Sequence, residues 1–171
     1  MSLEKVLSTI ASDEFELEIN KDLTKYSTMK LKSFGDLITI KSESALKTIL
    51  PLLKKQNIEY RVLGWGANLL LPEKSSVPYI QLDFSFDKKI LENAQDEYIL
   101  PASISLAVLT SHAAKFGLKG WEVFTGIPAS LGGAIFMNAG TNLGEIGSVI
   151  KEVKIITSSG EEKLIKIILK L

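Results

Sequence analysis

Cysteine is absent, which excludes disulfides, thiolate metal sites and cysteine nucleophiles. Histidine occurs once, as His112, so a multi-histidine metal centre is ruled out and any serine–histidine–acid triad would have to use that residue. Net charge is also missing: 20 Lys plus Arg balance 20 Asp plus Glu. A neutral chain has no global field to draw in nucleic acid or an anionic membrane, so any phosphate must be held locally. No apolar run is long enough to span a bilayer, and the N-terminal MSLEKVLSTIASDEFELE is too acidic for a signal peptide. Together these absences point to a reducing cytoplasm, with neither nucleic acid nor membrane as partner.

What remains is an ordinary globular composition, 46% hydrophobic and 23% charged over 171 residues, enough for one sizeable core. Leu3, Val6, Leu7 and Ile10 recur at helical spacing, so residues 1–19 read as a helical extension. LITIK at 37–41 reads as a strand and Ser44 as a cap for the helix behind it, with Leu46, Ile49, Leu50 and Leu53 on one face. Pro51 falls inside that helix and should kink it. IEYRVLG completes a βαβ unit with parallel strands. VPYIQLDF, and with less support FDKKILEN, read as strands, as does EYILPAS ending near Pro101. Ser105 caps a helix over 106–116 that Gly117 stops. KEVKIITSSGEEKLIKIILKL reads as a hairpin turning at Ser158-Ser159-Gly160, although Leu164, Ile165, Ile168 and Leu169 also suit a helix. Such an open apolar strand predicts association. The expected class is α+β, with lobes over 20–82 and 83–171.

Two glycine clusters stand out. GWGANLL, 64–70, follows a strand, yet lacks the third glycine of a dinucleotide fingerprint (Leu69 stands there) and the Lys-Ser/Thr of a P-loop. A plain tight turn explains it; so does a nest in which Gly64 and Gly66 let consecutive N–H groups face a diphosphate, with Asn68 capping the turn. The second cluster, GWEVFTGIPASLGGAIFMNAG, places Pro128 at the start of a short helix, so the N–H groups of 127–131 should be free to bind an anion. Gly132 and Gly133 inside that helix cost about 1 kcal/mol each relative to alanine. Either a ligand approaches the backbone there or helix packs closely on strand.

VLGWGANLLL together with GLKGWEVFTGIPASLGGAIFMNAGTNLGEI resembles the FAD-binding half of the UDP-N-acetylenolpyruvoylglucosamine reductase family, and YSTMKLKSFGDLI resembles the start of that half. The resemblance implies a two-lobed fold of the vanillyl-alcohol-oxidase type, a small βαβ lobe beside a larger mixed-sheet lobe, with FAD between them and NADPH as reductant in the making of UDP-N-acetylmuramate for peptidoglycan. It implies that Gly64, Trp65, Gly66, Ala67, Asn68 and Leu69 wrap the FAD diphosphate. Thr125, Gly126, Ile127, Pro128, Ala129 and Ser130 would contact flavin and diphosphate, and Gly132, Gly133, Met137 and Asn138 would line the flavin or ribityl side.

The sequence departs from the family at Lys32-Ser33-Phe34 and Pro101-Ala102-Ser103, where the family has glycines, and at Thr141 to Glu145, where it has a tyrosine. The family's Tyr-Arg pair, proton-donating serine and distal glutamate have no counterpart in these residues. The resemblance therefore implies a cofactor domain inactive alone and complete only with a substrate domain that these residues lack, the sequence being a truncated piece, one part of a split gene completed by a separate substrate-domain chain, or a degenerate paralogue. A diverged flavin or nucleotide module acting by interaction, or a small flavin oxidase, are the other readings; for the oxidase, Glu122 and Glu145 are the only acids in the main motif. His112 and Trp121 read as packing residues, and Trp65 as core or cofactor neighbour.

Overall fold

The computed structural model describes residues 2–11 and 13–167. Helix α1 (Leu3–Leu7) buries Val6 and Leu7, but the expected helical extension stops there: β1 (Phe15–Asp22) follows and pairs antiparallel with β2 (Phe34–Ile40). The boundary expected at residue 20 thus falls inside a strand. FELEI alternates apolar and acidic residues, a strand pattern that outweighs the helical spacing before it.

Helix α2 (Glu43–Lys55) is capped by Ser42, not Ser44: the Ser42 hydroxyl accepts from the Ala45 N–H at 3.0 Å. Its face of Ala45, Leu46, Ile49, Leu50 and Leu53 lies in one cluster with Val6, Leu7, Ile38, Ile40 and Ile80. Pro51 stays within the helix and leaves the Lys47 carbonyl without its usual donor. The turn of a distant hairpin packs over that carbonyl without donating to it, with Gly160 against the Lys47 carbonyl and the Pro51 ring.

Strand β3 is only Arg61–Val62, shorter than IEYRVLG suggests, and it lies parallel to β4 (Tyr79–Leu82). The sheet order is β1-β2-β4-β3, so β4 separates the two strands of the expected βαβ unit. FDKKILEN contains a 3-10 turn at Lys88–Leu91 instead of a strand. EYILPAS is not a strand either: Ile99 is 92% exposed and no neighbouring strand pairs with the segment.

Helix α3 (Leu106–Phe116) begins at Ser105 and ends on Gly117 at φ 64°, as its signals require. Its Leu106 and Leu109 join Ile104, Val123, Phe124, Leu131, Ala134 and Ile146 in a second core. Within this lobe lie α4 (Leu131–Phe136) and the short pair β5 (Gly140–Thr141) and β6 (Gly144–Glu145). Strands β7 (Glu152–Ile156) and β8 (Glu162–Lys166) form the hairpin, which excludes the helical reading of Leu164 and Ile165; Ile168 and Leu169 lie outside the described residues. The hairpin is fastened to α2 by Lys47–Glu162 and by Lys154–Glu43 at 2.6 Å, and Ile156 packs into the first cluster. Helix and strand are both present with mixed pairing, an α+β fold.

Candidate functional site: two glycine segments that meet

The loop after β3 rests on a segment 39 residues earlier. Gly66, at φ 63°, lies against Tyr26 and Ser27 so tightly that a Cβ would stand 2.7 Å from the Ser27 Cα. The Thr28 N–H donates to the Gly66 carbonyl at 3.2 Å and the Thr28 hydroxyl to the Ala67 carbonyl at 3.3 Å. From the other side the Gln81 amide donates to the Gly64 carbonyl at 3.4 Å. All these contacts consume carbonyls. Among the described residues, none of the backbone N–H groups of Gly64–Leu70 donates a hydrogen bond within the protein. A run of unspent donors on a glycine turn is the geometry of an anion nest.

The second segment is built differently. Pro128 does not open the helix; it precedes the cap, Ser130, by two residues. The Leu131 N–H donates to Ile104 at 2.8 Å, the Gly132 N–H to Ala102 at 2.8 Å, and the Ala129 N–H to Ile127 at 2.9 Å. The expectation of free donors across 127–131 is therefore corrected. The loop 101–104 runs alongside and takes those of Leu131 and Gly132, leaving the N–H groups of Gly126, Ile127 and Ser130 without a protein acceptor among the described residues.

These two segments touch. A Cβ on Gly64 would stand 3.0 Å from the Ser130 Oγ and 3.7 Å from the Gly133 Cα, and one on Gly133 would stand 4.0 Å from the Gly64 Cα. No large side chain lies between them. Ser130, 5% exposed, caps α4 through a 3.4 Å bond from the Gly133 N–H, and its own hydroxyl proton has no protein acceptor among the described residues. The result is a floor of bare backbone bordered by amide donors, which fits a diphosphate without a cation.

Not every expected site residue reaches this floor. Gly64, Ser130 and Gly133 do; Gly66 and Ala67 anchor the loop, while Trp65, Asn68 and Leu69 are exposed on it. Thr125, Gly126 and Pro128 are exposed on the approach to α4, Ile127 is half-buried and Ala129 is buried, its carbonyl accepting from Leu106. Gly132 faces away: its Cβ would stand 2.7 Å from the Ala102 Cβ, so its smallness serves packing. Met137 is exposed. Asn138, in left-handed geometry at φ 43°, spends its side chain on the Glu145 carboxylate at 2.7 Å and the Gly147 N–H at 3.1 Å. It fixes a turn, and it engages Glu145, one of the two acids in the main motif.

At the non-glycine departures, Lys32 is exposed, while three of the small side chains turn to the protein. Ser33 is fully buried and donates to the Pro72 carbonyl at 2.8 Å; Ser103 donates to the Phe84 carbonyl at 3.2 Å; Ala102 packs on Gly132. His112 is a packing residue, with its Nε2 at 2.8 Å from the Tyr98 hydroxyl and its ring among Tyr98, Phe116 and Trp121. Sequence reasoning missed Thr28 and Gln81 as supports of the loop. Nothing in local spacing links residue 28 to residue 66.

No group of three or more His, Cys, Asp or Glu among the described residues is placed to hold a metal ion. None of the described helices is long and apolar enough to cross a membrane. A family model described as an FAD binding domain matches residues 37–165. The UDP-N-acetylenolpyruvoylglucosamine reductase of Syntrophomonas wolfei is 33% identical over 145 residues, which cover 84% of this chain and 48% of that protein. That of Bacillus subtilis (strain 168) is 32% identical over 161 residues, covering 92% of this chain and 52% of that protein. The crystal structure of the same reductase from Thermus caldophilus superimposes with a TM-score of 0.69 at 29% identity, over 89% of this chain and 52% of that one. The chain spans about half the length of the curated relatives it matches. With its fold, its glycine floor and its matched length in agreement, this chain belongs to the FAD binding domain family and corresponds to the FAD-binding half of the reductases it resembles.

Proposed function

We propose that this chain is the cofactor-holding half of a cytoplasmic UDP-N-acetylenolpyruvoylglucosamine reductase and serves the formation of UDP-N-acetylmuramate for peptidoglycan. The observation that carries the reading is the run of unspent amides from Gly64 to Leu70 beside the bare contact of Gly64 with Gly133. Those amides hold the diphosphate of FAD, Ser130 adds a hydroxyl donor, and the exposed Trp65 and Met137 give apolar cover to the flavin end. FAD held there would supply hydride transfer between NADPH and the enolpyruvyl ether, a chemistry that no side chain here could perform. The contribution of this half is orientation: the loop on Tyr26–Thr28 and α4 on the 101–104 loop fix the cofactor from two lobes. Substrate binding and protonation would fall to residues outside the matched half.

A diverged module acting only by interaction remains the second reading, motivated by the residues that replace family glycines. Ser33 and Ser103 weaken it, because their hydroxyls are bonded to the protein's own backbone and do not project over the floor. Titration of the purified protein with FAD decides between them. Saturable flavin fluorescence quenching, lost on competition with ADP, is expected; absence of uptake at high micromolar FAD overturns the cofactor assignment. A flavin-loaded protein that stays inactive with every reductase substrate-domain chain supplied in trans would favour the interaction module.

A further inference from the structure

The loop at 64–70 offers its amides because its carbonyls are held, and two residues do the holding. In a trans peptide the C=O of one residue and the N–H of the next lie in one plane and point in opposite directions. A bond to a carbonyl therefore aims the following amide away from the donor. Three planes of the loop are aimed in this way. The Gln81 side-chain amide donates to the Gly64 carbonyl at 3.4 Å, which turns the Trp65 N–H away from β4. The Thr28 N–H donates to the Gly66 carbonyl at 3.2 Å, and the Thr28 hydroxyl to the Ala67 carbonyl at 3.3 Å. The N–H groups of Ala67 and Asn68 then both point away from residue 28. Successive amides aimed to one side, around a left-handed residue such as Gly66 at φ 63°, make a nest.

The three planes do not need their holders equally. A peptide plane turns over by rotating ψ of one residue and φ of the next, and doing so puts a carbonyl oxygen where an anion needs a donor. Turning the 64–65 or the 66–67 plane drives Trp65 or Ala67 toward positive φ, which a side chain resists on its own. Turning the 67–68 plane places that demand on Asn68, and asparagine tolerates left-handed geometry. That plane is the one free to flip, and its carbonyl is the one bonded to the Thr28 hydroxyl. Thr28 is exposed and takes no part in the contact of Gly64 with Gly133, so its contribution is orientation and not packing.

We propose that Thr28 is a positioning residue for the diphosphate: its hydroxyl holds the Ala67–Asn68 peptide plane so that the Asn68 amide, beside that of Ala67, faces the phosphates. This role rests on the proposed function above and adds to it a side chain that acts through the loop rather than on the cofactor.

Thr28→Val tests the role, because valine keeps the branched shape and the backbone N–H and loses only the hydroxyl. ADP is the probe, carrying the diphosphate without the flavin. The variant should bind ADP and FAD at least about threefold more weakly than the unsubstituted chain, and Thr28→Ser should restore both affinities. Amide spectra resolved by residue give the direct readout. In the unsubstituted chain, ADP should move the Trp65, Ala67 and Asn68 amide protons downfield. In Thr28→Val the Asn68 shift should shrink, while that of Trp65, aimed by Gln81, persists. Equal ADP affinity, or an equal Asn68 shift, in the two proteins overturns the positioning role and leaves the cofactor assignment standing. Loss of the Trp65 and Asn68 shifts together also overturns it, since valine would then have disturbed the whole loop. FAD uptake with no shift at any loop amide has the same consequence, and a chain that takes up neither ADP nor FAD overturns the role and the cofactor assignment alike.

Discussion

The loop at 64–70 and the helix start at 128–133 are both glycine-rich, and both raise the expectation of free backbone donors. Only the loop keeps the whole run of them. Its contacts with Tyr26, Ser27, Thr28 and Gln81 all fall on Cα atoms or carbonyls, so its amides stay unspent. The helix start lies against a neighbouring loop whose carbonyls at Ile104 and Ala102 absorb the Leu131 and Gly132 donors. A helix N-terminus is an anion site only if nothing in the protein reaches it first. Glycine, likewise, does two jobs here: at 64 and 133 it bares a surface, while at 66 and 132 it lets one part of the backbone lie on another.

That contrast can be broken at its strongest point by Gly66→Ala. The new methyl would meet the Tyr26 and Ser27 backbone in a left-handed conformation that alanine disfavours, so at least about 2 kcal/mol of stability should be lost along with FAD uptake. Urea denaturation and flavin titration measure the two losses; retention of both would mean that the loop does not rest on Tyr26 as described. Adjacent glycines should then separate by role. Gly132→Ala should cost about 1–3 kcal/mol through collision with Ala102, and its effect on flavin should be indirect. Gly133→Ala gains helix propensity of about 1 kcal/mol, so stability should barely change while FAD affinity falls about tenfold. If the two variants behaved alike, the division between packing glycine and floor glycine would fail.

Ser130→Ala removes both the cap of α4 and the hydroxyl facing Gly64. A stability loss of about 1 kcal/mol is expected, with a further drop in flavin affinity that Ser130→Thr largely restores if the hydroxyl matters. The smallest effect concerns the hairpin, remote from either glycine segment. The Lys47 ammonium bonded to Glu162 holds that carboxyl below the usual glutamate range, and the bond to Glu43 raises Lys154. A depressed acid contributes above its unfolded value and ceases to contribute as pH falls through its folded one. A slight fall in thermal midpoint below the ordinary glutamate range should therefore vanish in Glu162→Gln, with flavin affinity unchanged.

Much of this was legible from local signals. Ser105 and Gly117 bracket α3 because capping is a property of a few adjacent residues. The Ser158-Ser159-Gly160 turn lies where expected for the same reason, with Gly160 at φ 80°. The helix behind β2 was legible too, although its cap moved from Ser44 to Ser42. Segments whose state depends on a distant neighbour were not. EYILPAS has strand composition but no partner strand, and β1 has alternation that the helical run before it hides. That Pro51 removes one helical donor follows from proline chemistry alone, whereas the Lys47 carbonyl it frees is covered by a turn more than a hundred residues later.

By itself, the sequence determined where α3 begins and stops, where the hairpin turns, and where backbone is left without side chains. Those depend on residue type and short spacing. Which bare backbone faces a ligand and which faces another loop was decided only in the tertiary structure, because a hydrogen-bond donor is free or spent according to what the fold brings within 3 Å of it.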